Sequence, residues 1–319
     1  MNSKADKSLN SFDGDPILQA TWLYYQDGMN QSEISKLMKV SRVTIVKYLQ
    51  VAREKGYVQI NLDQKSFSSI DTAVRIKNKF DLRNVIIIPS AKQDAVPRER
   101  LAKAGAMYLN QVVQEDDVLG VAWGRTIHQM GNKLTPKPLN NVTVIQMLGS
   151  MPSQPDFTTI ESSSQIASKF SGRCASLHVP AVVSNPRLAM ELQAEPIIQA
   201  NFSILKQCNK AFFMVGNSRN DNPLIRCGVL TEDEMNHYRE LGAVGVICGR
   251  FYDINGNPVV SEVDLRILGI SLAQLRLIKQ RIFMACGEYN YEATYGAIIG
   301  GFVSDLIIDE ATADFLLYC

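Results

Sequence analysis

From residue 84 onward, apolar runs that suit buried strands alternate with segments that suit helices. The runs are apolar throughout, rather than at every second residue, which is typical of parallel strands covered on both faces by helices. The predicted strands are residues 85–89, 118–123, 142–148, 211–216, 244–248, 281–285 and 303–308. The predicted helices include residues 98–114, 161–170, 196–208, 232–241 and 291–299. We therefore predict the α/β fold class, with a Rossmann-like domain built on a parallel sheet.

The composition argues against several other classes of protein. The chain has 319 residues, 46% of them hydrophobic and 20% charged, and this length allows two domains. No apolar run approaches the length of a transmembrane helix, and the polar residues 1–15 do not resemble a signal peptide. The six cysteines lack CxxC spacing, and the three histidines lie in unrelated contexts. We predict a cytoplasmic protein without a disulfide framework, metal site or cofactor.

Ahead of the sheet region, the sequence predicts three short helices, the first over residues 17–26. Asn30 is the predicted N-cap of the second helix, with Glu33 placed to complete a capping box. After a turn at residues 39–40, Ser41 caps the third helix, which continues to a left-handed C-cap at Gly56. The residues of the second helix that we expect to face inward are Ile34, Leu37 and Met38.

The third helix has two different faces. Its apolar stripe consists of Ile45, Tyr48, Leu49 and Ala52. Its opposite face carries Val43, Val46, Lys47 and Gln50. In a DNA major groove, valine can contact thymine methyl groups while lysine and glutamine reach base edges. Arg42 and Thr44 flank this face, where phosphate contacts would set the register. The predicted DNA-binding residues are Ser32, Ser41, Arg42, Val43, Thr44, Val46, Lys47 and Gln50.

The charge distribution supports the DNA-binding interpretation more than the net charge of +1 does. Residues 29–60 contain six lysine or arginine residues against two glutamates. A local cationic excess is the electrostatic feature expected of a nucleic-acid reader. The alternative is a helical dimerisation element, in which the two exposed valines meet another protein surface.

The chain is predicted to have four parts. Residues 1–15 form a disordered leader, and residues 16–62 form the helix-turn-helix domain, which a short strand at residues 57–62 closes. Residues 63–82 contain a polar break and a linker helix, predicted over residues 70–80. Residues 83–319 form the larger domain.

Four loops of the larger domain are candidates for ligand binding, because ligands of parallel sheets bind beyond the carboxyl ends of the strands. They span residues 120–126, 148–153, 216–218 and 286–290, and each follows a predicted strand. In the first, Gly124 lets backbone N–H groups approach an anion, and Arg125 and Thr126 add donors at a helix N-terminus. Together the four loops favour a small polar or anionic ligand.

An enzyme is the alternative function, specifically a sugar-phosphate isomerase or deaminase with an accessory helical domain. The candidate acids and bases are Glu288, Asp253, Asp309 and Glu310. Asp253 suits a turn, and acids at the start of the last helix are explained by the helix dipole. No nucleophile elbow, Walker loop or metal-binding box is present. We therefore predict no catalytic residues.

The ordered motifs of the chain resemble those of the SorC/DeoR-type sugar-binding transcriptional regulators. Beyond the helix-turn-helix, they are Gly-Val-Ala-Trp-Gly-Arg-Thr (120–126), Cys-Gly-Val-Leu-Thr (227–231), Gly-Ala-Val-Gly-Val-Ile-Cys-Gly-Arg-Phe-Tyr-Asp (242–253) and Ile-Asp-Glu-Ala-Thr-Ala (308–313). The resemblance covers nearly the whole chain after about Pro16.

The resemblance implies an effector domain like ribose-phosphate isomerase and glucosamine-phosphate deaminase, without their catalysis. It also implies a homo-oligomer, dimer or tetramer, on operator DNA, and a phosphorylated sugar or related polyol as effector. By position, Gly124, Arg125 and Thr126 would lie against a phosphate. The other effector-binding residues would be Gly149, Ser150, Asn217, Ser218, Glu288 and Asn290.

Two positions depart from the family pattern. Val246 stands where an aspartate is common, and Asn290 stands where a lysine is common. The absence of a charge-assisted hydrogen bond costs about 1.5–3 kcal/mol. Either Arg125 or Arg250 compensates, or the effector is uncharged or otherwise unusual. We therefore predict a small sugar-like effector and leave its phosphorylation open.

Overall fold

The computed structural model of the chain describes residues 14–58, 71–89, 97–151 and 159–319. The chain divides into two compact units, Met1–Leu62 and Asp63–Cys319. Most of the predicted leader, residues 59–62 of the predicted short strand, the polar break and residues 152–153 of the second loop lie outside the described residues. None of the helices in the described ranges has the length and apolarity needed to cross a membrane.

The described part of the first unit consists of three helices. They are α1 (Pro16–Tyr25), α2 (Gln31–Met38) and α3 (Arg42–Glu54). Their common core is made of Ala20, Leu23, Ile34, Ile45 and Leu49. Each of these side chains is at least 92% buried, so the core joins all three helices.

Specific capping contacts set the helix ends in this unit. The Asn30 side chain accepts from the Ser32 and Glu33 N–H groups, while Glu33 accepts from the Asn30 N–H, which completes the predicted capping box. After α3, Gly56 has a φ of +72°, and the N–H groups of Gly56 and Tyr57 donate to carbonyls in the last turn. This is the Schellman arrangement, which stops the helix where the sequence predicts.

One predicted core residue of α2 is misplaced. Leu37 is 45% exposed, whereas Ile34 is fully buried and Met38 packs partly against the core. Ile34 and Met38 are four residues apart, so they lie on the same face of this helix and supply its contacts with the core.

The second unit is a seven-stranded, all-parallel sheet with helices on both faces. Its strands are β1 (Asn84–Ile88), β2 (Val118–Val121), β3 (Thr143–Gln146), β4 (Arg173–Ala175), β5 (Lys210–Met214), β10 (Gln280–Ala285) and β11 (Asp305–Asp309). A second, antiparallel sheet contains β6 (Gly216–Asn217), β7 (Gly245–Ile247), β8 (Arg250–Tyr252) and β9 (Pro258–Val259). The strand order of the main sheet is β1-β11-β10-β5-β2-β3-β4.

The helices of the second unit pack on the faces and ends of these sheets. They are α4 (Asp71–Lys79), α5 (Pro97–Val112), α6 (Arg125–Lys133), α7 (Thr159–Lys169), α8 (Pro186–Ala194), α9 (Pro196–Lys206), α10 (Pro223–Arg226), α11 (Glu232–Glu240), α12 (Leu272–Leu277), α13 (Tyr291–Ile299) and α14 (Glu310–Tyr318). Short 3₁₀ turns span Glu262–Arg266 and Glu288–Asn290.

Both faces of the main sheet are buried, as the continuous apolar runs predict. In β1, Val85 and Ile87 pack into one core cluster, while Ile86 and Ile88 pack into the cluster on the other face. Because side chains alternate between the faces of a strand, a strand buried on both faces is apolar along most of its length.

The predicted linker helix belongs to the second unit where it is described. Ala73 and Ile76 of α4 are buried in the core cluster that contains Val85 and Ile87 of β1. The Lys79 ammonium donates to the carbonyls of Leu316 and Cys319 at the end of α14. This helix therefore packs against the core of the second unit.

The prediction that residues 244–248 form a strand of the parallel sheet is wrong. β7 is antiparallel to β6 and β8, and Cys248 and Gly249 form a two-residue turn in which both have a positive φ. Two consecutive residues with positive φ form a tight hairpin turn, so the chain reverses direction directly after the three residues of β7. Strand β4 was not predicted, because Arg173 and Cys174 are exposed at the edge of the sheet and carry no apolar signal.

Candidate DNA-binding surface and effector cavity

One face of α3 is open to solvent although it is partly apolar. Val43 is 78% exposed and Val46 is 42% exposed, and Lys47 and Gln50 beside them are exposed as well. The opposite stripe is buried at Ile45, Leu49 and Ala52, with Tyr48 partly buried. The structure thus brings together the four residues that the sequence assigns to base contacts.

The other predicted DNA-binding residues lie at the starts of α2 and α3. The Ser41 side chain caps α3 by accepting from the Thr44 N–H at 3.0 Å, and the two hydroxyls are 2.8 Å apart. The exposed Arg42 donates weakly to the Gln31 amide at 3.4 Å, and Ser32 is also exposed. These residues surround the helix ends, where the N–H groups of a helix favour phosphate.

A cavity of about 330 Å³ lies at the carboxyl ends of the central strands of the second unit. Its volume is in the range of small-molecule sites. Three of the four predicted loops contribute to it, namely those after β2, β5 and β10. The predicted effector-binding residues that line it are Gly124, Arg125, Thr126, Asn217 and Asn290.

Four predicted effector-binding residues lie outside this lining. The Gly149 and Ser150 N–H groups donate to the carbonyls of Leu268 and Val179, so the loop after β3 is packed against the chain. A Cβ at position 149 would collide with the backbone of Pro180, which explains this glycine by packing. Ser218 is buried and donates to the Ala243 carbonyl, and Glu288 is exposed.

Gly124 sets the backbone geometry at the cavity directly before α6. Its φ of +150° is a conformation that glycine adopts readily, and a Cβ there would point into open space. The nine-residue helix α6 follows directly, without a side-chain cap and without an acidic residue in its first turn. Its first N–H groups and positive dipole end therefore face the cavity mouth.

Three arginines line the cavity: Arg98, Arg125 and Arg226, all exposed. Asp221 is the carboxylate among the described lining residues, and its Oδ1 lies 3.9 Å from the Arg219 Nε. The lining therefore carries an excess of positive charge. Sequence reasoning identified Arg125 but missed Arg98 and Arg226, because neither follows a predicted strand.

Arg250 does not supply the compensating charge that the sequence suggested. Its guanidinium donates to the Asp264 carbonyl at 2.8 Å, the Asp264 carboxylate at 3.1 Å and the Ile267 carbonyl at 3.0 Å. These bonds fasten β8 to the 3₁₀ turn Glu262–Arg266, so Arg250 is structural.

The two positions that depart from the family pattern both line the cavity. Val246 is 5% exposed. The Asn290 amide donates to the Cys286 carbonyl at 2.8 Å and accepts from the Asn217 amide at 3.4 Å. This wall is therefore neutral.

Three of the six cysteines also line the cavity: Cys227, Cys248 and Cys286. Burial raises the pKa of the Cys248 thiol to about 12, and it raises the pKa of Cys286 to about 11 with the help of the nearby Asp309 carboxylate. Both thiols are thus neutral near pH 7.

The candidate catalytic carboxylates have structural roles or lie outside the cavity lining. Asp253 accepts from the Asn255 and Asn257 N–H groups and shapes the turn before β9. Asp309 caps α14 by accepting from the Thr312 N–H at 3.1 Å. Glu288 and Glu310 are exposed and do not line the cavity.

A three-helix unit with an open, partly apolar face on α3 and a parallel α/β unit with a cavity at the strand ends are features of transcriptional regulators with an effector domain. Residues 64–318 match the family model described as "Putative sugar-binding domain". The chain is 66% identical over 314 residues to "Uncharacterized transcriptional regulator YjhU" of Escherichia coli (strain K12), covering 97% of this chain and 96% of that protein. The chain belongs to the SorC/DeoR-type sugar-binding transcriptional regulators.

Two further comparisons support the same family. The chain is 32% identical over 304 residues to the "Deoxyribonucleoside regulator" of Bacillus subtilis (strain 168), covering 94% of this chain and 96% of that protein. The crystal structure of the full-length sorbitol operon regulator SorC from Klebsiella pneumoniae superimposes with a TM-score of 0.78. That match covers 99% of this chain and 100% of the other at 23% identity, so it shows the shared fold.

Proposed function

We propose that the chain regulates a carbohydrate or polyol catabolic operon in the cytoplasm, and that a small sugar-like effector in the cavity controls its affinity for operator DNA. The observation that carries this proposal is the solvent-facing surface of α3, with Val43, Val46, Lys47 and Gln50 opposite a buried stripe. An exposed face that pairs valines with a lysine and a glutamine suits a DNA major groove.

The effector part of the proposal rests on the cavity. Gly124, the start of α6 and three arginines favour an anionic group such as phosphate. The names of two relatives, a deoxyribonucleoside regulator and a sorbitol operon regulator, support an effector from sugar metabolism. The structural roles of Asp253 and Asp309 support binding without turnover.

Control requires that the effector bind two DNA-binding geometries unequally, because a ligand with equal affinity for both shifts nothing. We propose a homo-oligomer, a dimer or tetramer, as the unit that changes geometry. In a dimer, two copies of α3 would read half-sites about one DNA turn apart.

The test uses the full chain and an operator selected from random-sequence duplex DNA. Operator affinity should fall steeply as salt concentration rises, because lysine and arginine contacts to phosphate release counterions. Lys47→Ala and Gln50→Ala should each reduce the preference for operator over scrambled DNA, by about 1–3 kcal/mol for a base that the side chain reads. Lys206→Ala, at the exposed end of α9, removes the same charge as a control. Unchanged sequence preference in both α3 variants would show that this face does not read DNA.

A further inference from the structure

The wall of the effector cavity is chemically divided. One part carries the N–H groups at the start of α6 and the arginines Arg98, Arg125 and Arg226. The other part is made of apolar and sulfur-containing side chains, which include Met214, Leu224, Cys227, Val246, Cys248 and Cys286. Leu224, Cys227 and Val246 are at least 93% buried, so this second part is a packed surface.

The asparagines on the wall are already engaged. Asn222 donates to the Asn217 carbonyl and accepts from the Leu224 N–H at 2.9 Å. Asn290 donates to the Cys286 carbonyl, and its oxygen receives the Asn217 amide. The Asn217 oxygen accepts from the Arg219 N–H at 3.0 Å. These amides hold the loops together, and each oxygen already accepts one hydrogen bond, which reduces the acceptor capacity left for a ligand.

The remaining side-chain acceptors among the described lining residues are the carboxylate of Asp221, which is exposed and lies near Arg219, and the hydroxyl of Thr126, which also donates. The thiols add none of comparable strength, because a neutral thiol is a weak hydrogen-bonding group. The described side chains of the cavity thus offer many donors and few acceptors.

This imbalance selects among ligands. Each hydroxyl group carries a donor that must find an acceptor, and a donor left without one on leaving water costs free energy. A carboxylate or phosphate oxygen accepts and matches the arginines and the helix start. We propose that the ligand of this cavity is a small oxyanion whose carbon body carries few hydroxyl groups. The inference narrows the sugar-like effector of the proposed function to an anionic one with few hydroxyl groups, and it rests on that function.

The experiment measures the thermal shift of the full chain with matched ligands that differ only in hydroxyl groups. Propyl phosphate is compared with glycerol 1-phosphate, and pentanoate with 2,3,4,5-tetrahydroxypentanoate. We expect the hydroxyl-poor member of one pair to raise Tm at an at least about tenfold lower concentration, since each unsatisfied donor weakens binding. The pair that raises Tm shows whether the cavity prefers a phosphate or a carboxylate group. Equal shifts within the pairs, a preference for the hydroxyl-rich members, or no shift from any of the four at millimolar concentration overturns the proposal.

Two variants test whether residues of the cavity wall cause the preference for the hydroxyl-poor ligand. Cys286→Ser and Val246→Thr each add a hydroxyl acceptor with little change in volume, so the preference for the hydroxyl-poor ligand should shrink. Cys174→Ser, on the exposed edge strand β4, makes the same chemical change outside the cavity and should leave the preference intact. An undiminished preference in both wall variants contradicts the inference. The two variants alter different segments, the loop after β10 and strand β7, so a folding defect in one leaves the other decisive.

Operator binding of the same protein separates this inference from the proposed function. A hydroxyl-poor anion that binds the cavity and leaves operator affinity unchanged supports the inference and contradicts the proposed function. A hydroxyl-rich sugar that displaces this anion from the cavity and changes operator affinity supports the proposed function and contradicts the inference.

Discussion

Asp117 and Lys210 form a buried ion pair, with 2.7 Å between the Asp117 Oδ1 and the Lys210 Nζ. Asp117 immediately precedes β2, and Lys210 is the first residue of β5, its neighbour in the sheet. The Asp117 carboxylate also accepts from the Asn209 amide and the Gln114 N–H. The pair therefore joins the amino ends of the two strands whose carboxyl ends lead into Gly124 and Asn217.

Replacing Lys210 tests how far this pair stabilises the domain. Lys210→Met keeps the apolar stem and leaves the Asp117 carboxylate buried without its cation, so the free energy of unfolding should fall by about 3–5 kcal/mol. Urea unfolding measures this free energy. Lys206→Met, at an exposed position, should change the same quantity by less than about 0.5 kcal/mol. A similar small decrease for both variants would mean that the buried pair contributes little.

Gly124→Ala tests the start of α6. Alanine is strained at a φ of +150°, so we expect a decrease of about 1–3 kcal/mol in unfolding free energy and weaker binding of the anionic ligand. Gly242→Ala is the matched control, because Gly242 has a φ of +90°, an open Cβ position and no part in the cavity lining. Calorimetric titration should show weakened binding in the first variant and unchanged binding in the second. Equal ligand affinity in both would remove Gly124 from the site.

The raised pKa values of two half-buried thiols, Cys248 and Cys286, predict a dependence of stability on pH. The ordinary pKa of a cysteine is 9.0, whereas Cys286 in the fold has a pKa of about 11 and Cys248 of about 12. Between pH 9 and 11 the folded chain therefore binds more protons than the unfolded chain, and the unfolding free energy falls as pH rises. Urea titrations of a Cys248→Ala, Cys286→Ala double variant should show a shallower fall over this range. A fall as steep as that of the parent would rule out these thiols as its source.

Six of the seven strands in the described parallel sheet could be predicted, because each contains a short run of mostly apolar residues, a pattern typical of burial on both faces. The turn at Cys248 and Gly249 shows the limit of that reasoning. Local apolarity shows that a strand is buried, whereas the sheet it joins depends on the following turn and on its partners. The capping residues Asn30, Ser41 and Gly56 were predictable, because capping is an interaction within a few residues.

The site was less predictable than the fold. Gly124 and Gly149 look alike in sequence, since each lies in a loop after a strand. The structure separates them, because a Cβ at 124 meets open space and a Cβ at 149 meets the Pro180 backbone. Arg98 and Arg226 reach the cavity from α5 and α10, which are distant in sequence. The sequence around each arginine gives no sign that the fold brings its side chain to the cavity.

The central claim is that ligand binding in the cavity changes how the chain holds DNA. The direct measurement is the operator Kd of the full chain, by fluorescence anisotropy, without ligand and with the sugar, polyol or phosphate that gives the largest thermal shift. Our account predicts that saturating ligand changes the Kd by about 5- to 150-fold, the usual range of allosteric coupling, and that Gly124→Ala requires more ligand for the same change. An operator Kd that stays constant while the cavity is saturated would contradict the account.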